Sequence, residues 1–102
     1  MIEYERILKE CFWDMDISKE TIKNIVNGKN IREKSFLFDK IIKNSGRLFI
    51  DLNIFKKEEL EKLIENYKVP NFNKNYISRR KNLAEVYFLN KPLLIDELKW
   101  IV

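Results

Sequence analysis

Apolar and polar positions alternate along this chain mainly with a helical period. Tyr4, Ile7, Leu8, Cys11, Phe12 and Met15 fall at i, i+3, i+4 spacing, which predicts a helix over residues 2–13 with those side chains on its inner face. Glu3 and Glu5 stand in its first turn, where carboxylates favour the helix dipole. Ser18 is placed to cap a second helix, residues 19–27, with Ile17 and Ile22 as a hydrophobic staple and Ile25 and Val26 facing inward. Asn27-Gly28 ends it, and Gly28 suits a left-handed position there. Leu37, Phe38, Ile41 and Ile42 mark a third helix over 31–44, stopped by Ser45-Gly46.

The stretch RLFIDLNIF, residues 47–55, fits two periods. Leu48, Ile50, Leu52 and Ile54 alternate as in a strand, while Leu48, Leu52 and Phe55 form a helical stripe. A lone strand without a partner is unstable, so helix is expected, with Leu48, Leu52 and Phe55 buried and Asp51 exposed. A helix over 57–67 follows from Leu60, Leu63, Ile64 and Tyr67. Pro70 and three asparagines mark 68–76 as the main loop. Ser78 can cap a helix at 79–90 with Leu83, Val86 and Tyr87 inside, and Pro92 can open a last helix at 92–102. The pattern predicts an all-α fold: a single small bundle of five to seven short helices, one domain over 1–102.

Composition narrows the function. At 102 residues, 45% apolar and 13% aromatic, the chain can build one core without disulfide or metal. A single cysteine, Cys11, forms no internal disulfide and fits a reducing compartment. There is no apolar run of ~18 residues to span a membrane, and the charged N-terminus lacks a signal-peptide pattern, so a cytoplasmic protein is expected. Histidine is absent, which removes the commonest general base and the usual nucleophile pairs. No phosphate-binding Gly-rich loop, metal motif or cofactor motif is present. An enzyme is therefore not expected.

The densest short stretch is CFWDMD, residues 11–16. Cys11, Phe12 and Met15 read as core, and Asp14 and Asp16 as charges around a helix end and the next helix start. Trp13 points away from the apolar face of the first helix. Either it folds back into a second core layer, the reading its size favours, or it is an exposed aromatic anchor for a partner. The net charge of +4 is uneven: between residues 66 and 84 stand Lys68, Lys74, Arg79, Arg80 and Lys81 and no carboxylate. Interleaved with Phe72 and Tyr76, these five are the nucleic-acid-binding candidates, since cations meet phosphates and aromatics stack on bases. A solvated loop leading into a helix explains the same pattern. Trp13, Phe72, Tyr76 and Trp100, near segment ends or in the loop, are the protein-partner candidates.

The order of FWDMD at 12–16, FLFDKII at 36–42 with Gly46, KKEEL at 56–60 and ISRRKNLAEVYF at 77–88 resembles a family of short, mostly helical prokaryotic proteins of uncharacterised function. Members share an N-terminal FWDxD and are often encoded beside nucleotidyltransferase-like toxins of abortive-infection systems. Here the last aromatic pair is Tyr87-Phe88, where the family pattern has Trp. The resemblance implies an antitoxin-like or accessory partner, and together with the missing catalytic residues the expectation is a non-enzymatic module that regulates or inhibits another protein. Nucleic-acid binding through 68–81 is the alternative.

Overall fold

The computed structural model describes residues 3–91. The expected helix at 92–102, with Trp100, lies outside the described residues. Six helices follow one another: α1 Tyr4–Cys11, α2 Lys19–Asn27, α3 Ile31–Asn44, α4 Leu48–Leu52, α5 Lys57–Asn66 and α6 Lys74–Leu89. There is no strand among the described residues. The all-α bundle expected from the pattern is what the chain forms.

α3 is the central helix, with α1, α2, α4 and α6 packed against it. Its Leu37, Phe38, Ile41 and Ile42 are buried and meet Ile7, Cys11, Ile22, Leu52, Ile64 and Ile77 from the surrounding helices. Phe38 makes a tilted contact with Phe55 and an edge contact with Tyr67, at ring-centroid distances of 6.3 and 5.3 Å. Such edge geometries favour aromatic pairs beyond the area they bury.

Local chemistry accounts for the helix starts. The Ser18 hydroxyl accepts from the Thr21 N–H, and the Asn30 side chain accepts from the N–H groups of Arg32 and Glu33. Each satisfies donors that a helix start leaves open. Gly28 differs from expectation. It is extended, at φ −82° and ψ −173°, and a Cβ there would stand 2.9 Å from the Asn24 carbonyl oxygen. Close backbone approach, not a positive φ, favours glycine at this position. Among the described residues the left-handed ones are Asn73 and Asn90, at φ 51° and 56°, a conformation Asn tolerates better than most.

Over 47–55 the helix expectation holds for α4, and Leu48, Leu52 and Phe55 are buried as expected. Asp51, expected exposed, is completely buried. Arg6 of α1 grips both its carboxylate oxygens, with Nη1 to Oδ2 at 3.1 Å, and the Ser45 hydroxyl donates to it. The helix that was to start at residue 79 begins at Lys74, with Asn73 before it and Ser78 inside. The loop is shorter by a turn because Ile77 must reach the core, where it is 2% exposed. Leu83 and Val86 are only half-buried, and Tyr87, expected inside, is exposed. It stacks on Phe49, ring centroids 4.3 Å apart and planes within 8° of parallel.

Candidate functional site

The CFWDMD stretch divides sharply between inside and outside. α1 ends at Cys11, and Phe12 closes it with its N–H donating to the Leu8 carbonyl. Cys11 and Phe12 are buried. The Met15 N–H then donates to the Phe12 carbonyl at 3.0 Å, forming a tight turn. That turn resets the helical phase and carries the intervening side chains outward. Trp13 is 73% exposed and Met15 41%. Trp13 therefore does not fill a second core layer, and Met15 leaves the apolar face on which an uninterrupted helix would have placed it.

Cys11 sits behind this turn as a small core side chain. Burial, aided by the nearby carboxylates of Asp51 and Glu10, pushes its thiol up to about 12. A thiol so protonated at neutral pH is a poor nucleophile. Among the described residues no three His, Cys, Asp or Glu side chains are grouped to hold a metal ion.

The outward side of the turn meets α3. Asp14 pairs with Lys40 at 3.2 Å, and the Lys40 ammonium lies 5.8 Å from the centroid of Phe36. Phe36 is itself 40% exposed, and its ring contacts that of Phe12 at 6.1 Å. Asp14, which stands between Trp13 and Met15 in the chain, thus ties this turn to the Phe36 stretch of α3. The turn leaves exposed aromatic and thioether area at Trp13 and Met15, and an ion pair links it to α3. Phe36 was missed in the sequence because FLF reads as core throughout. Its phase against Leu37 and Phe38 was the available signal, since residues one and two positions apart do not share a helix face.

Phe72 and Tyr76 are also exposed, at 76% and 50%. They stand around the start of α6, with the Arg80 guanidinium 5.4 Å from the Tyr76 ring. The basic candidates split into two groups. Lys68, Lys74 and Arg79 are exposed. Arg80 is half-buried and donates to the carbonyls of Ile42 and Ser45, the C-terminal end of α3. Lys81 donates to the Tyr67 carbonyl at 3.0 Å, just past α5. Two of the five cations therefore cap helix C-termini, where positive charge suits both the open carbonyls and the dipole. Trp100 lies outside the described residues.

A second polar feature was not read from the sequence. Besides Asp51, Arg6 bonds Glu10 at 2.9 Å and Glu3 at 3.1 Å. Glu10 in turn accepts from the Gly46 N–H at 3.0 Å. That backbone bond, with Arg6 beside it, holds the Glu10 carboxyl below its usual range. The cluster joins α1, α4 and the α3–α4 turn. Every buried side-chain polar atom among the described residues has a hydrogen-bond partner, so this is a satisfied structural network.

No family model, curated protein or solved structure matches the chain. Among the described residues no helix is long and apolar enough to cross a membrane.

Proposed function

We propose that this protein is a non-enzymatic interaction module that engages another protein through the surface around Trp13. The role is the antitoxin-like or regulatory one that the FWDxD resemblance implies, and the setting is the cytoplasm, which suits a single free thiol. The observation that carries this reading is the 73% exposure of Trp13, beside a residue, Phe12, that is 2% exposed. A large aromatic held in water by a short, hydrogen-bonded turn has much area to gain from a partner. Tryptophan is the residue most enriched among binding hot spots. Met15 adds an adaptable apolar contact, and Asp14 with Lys40 supplies a polar rim.

The test is a photo-crosslinking residue placed at position 13 and, as a control, at the exposed position 65, in cells of the native host. A partner captured from position 13 and not from position 65 is then purified and titrated. Trp13→Ala should weaken its binding by ~30-fold or more, the loss of ~2 kcal/mol expected of a hot spot. Unchanged affinity in the variant overturns the reading.

Nucleic-acid binding along 68–81 is the alternative, and the placement of Arg80 and Lys81 at helix ends lends it less support. It is tested with Lys68, Lys74 and Arg79 replaced by Ala, leaving the two capping cations in place. Oligonucleotide binding that falls steeply with salt and is lost in this variant would favour the alternative.

A further inference from the structure

A groove of about 460 Å³ runs between α3 and α5, on a different face of α3 from the Trp13 surface. α3 contributes Ile31, Ser35 and Phe38, α5 contributes Leu63 and Lys62, and Tyr67 and Lys68 follow just beyond it. At 100° per residue, Phe36 lies ~100° or more around α3 from each of these three α3 residues. Two polar bridges bracket the groove. Lys34 pairs with Glu59 near the helix starts, and the Tyr67 hydroxyl donates to Asp39 at 2.7 Å further along.

The lining is an apolar floor with a cationic edge. Phe38 and Leu63 are almost fully buried and form the bottom, while Ile31 stands 60% exposed as a wall. Lys62 and Lys68 are both exposed, and neither has an ion-pair or hydrogen-bond partner among the described residues. No carboxylate lines the groove. A neighbouring hollow of about 330 Å³ shares Ile31 and adds Lys29 and Lys56, and its one carboxylate, Glu59, is already paired with Lys34. The span from Ile31 to Phe38 is ~10 Å, two turns of helix. That accommodates apolar side chains spaced one or two turns apart.

We infer that this groove is a second docking site, and that its occupant is an acidic amphipathic helix of a protein partner. Its apolar stripe would lie over Phe38 and Leu63, and its carboxylates would meet Lys62 and Lys68. Helix-in-groove recognition works through such anchors, and complementary charge sets orientation and encounter rate. A nucleic acid fits less well, because the one ring of the floor, Phe38, is too buried to stack on a base.

The experiment follows the backbone amide resonances of the full-length protein as three probes are added. The first is a capped peptide of about 15 residues, long enough to form a helix, with Leu on one face and Glu elsewhere. The second has Lys in place of every Glu, and the third is a short single-stranded oligonucleotide. The acidic peptide should shift Ile31, Ser35 and Leu63 and bind more tightly than its basic twin. Ser35→Trp, which plugs the groove from an exposed position, should weaken it by about tenfold or more. Lys62→Glu with Lys68→Glu should reverse the preference between the two peptides, and Trp13→Ala should leave it unchanged. The inference is overturned by equal binding of the two peptides, by no shift at these residues with the acidic peptide, or by groove shifts with the oligonucleotide alone.

Discussion

Two regions at opposite ends of α1's contacts, one against α4 and one in the turn that follows α1, invert the ordinary partition of side chains. At the α1–α4 junction a carboxylate, Asp51, is fully buried. At the turn after α1 a tryptophan is mostly in water. The difference lies in what else each can bond to. Asp51 has a bidentate guanidinium and a hydroxyl waiting for it, so its charge stays satisfied away from water. Trp13 has no slot in a core already filled behind it by Cys11 and Phe12. Buried charge here defines how helices meet, whereas exposed aromatic area is left for something outside the chain.

Breaking the first region should have the largest effect. Asp51→Ala removes the buried acceptor shared by Arg6 and Ser45, leaving the guanidinium only Glu3 and Glu10, and should cost ~3–5 kcal/mol in urea unfolding, the loss typical of breaking a buried pair. Combining it with Arg6→Met should restore part of that loss, because the half-compensated guanidinium beside the core is then gone, while Glu3 and Glu10 are exposed enough to stay hydrated. Phe12→Ala should cost ~3–4 kcal/mol, as buried aromatic truncations do. Trp13→Ala, one residue along, should stay within ~0.5 kcal/mol of the parent. Equal costs for the two would erase the contrast between them.

The capping cations sharpen the comparison at a smaller scale. Arg80→Ala leaves the carbonyls of Ile42 and Ser45 without this donor and should cost ~1–3 kcal/mol, while Lys74→Ala should change stability very little. The two variants separate a cation that holds the fold, Arg80, from an exposed one, Lys74.

Among the buried positions, Cys11 gives the smallest effect. Cys11→Ala should cost ~1–2 kcal/mol, and the native thiol should resist a maleimide that labels the denatured chain at once. Its thiol titrates higher folded than unfolded, so its contribution is fully present below the unfolded value of ~8.5. Stability should fall as pH rises from there towards about 12. Cys11→Ala should flatten that part of the alkaline slope in urea midpoints recorded across the range. An unchanged slope would place Cys11 outside the core.

The sequence by itself determined the helices whose signals are local. Ser18 caps α2, and Glu58 and Glu59 open α5 four residues after Ile54 and Phe55 turn inward. Periodicity alone placed Leu37, Phe38, Ile41 and Ile42 in the core, because a helix face is set by neighbours three and four residues away. The CFWDMD stretch was legible as far as Cys11 and Phe12, and no further, since a turn closed by one backbone hydrogen bond leaves no mark in periodicity. Tertiary structure alone decided the rest. Arg6 meets Asp51 across 45 positions, and Arg80 reaches Ile42 across 38. Such pairs stay hidden in a linear pattern, because an exposed charge and a buried, partnered one are written with the same letters. The packing of α1 and α6 on α3 makes one of them core and leaves the other in water.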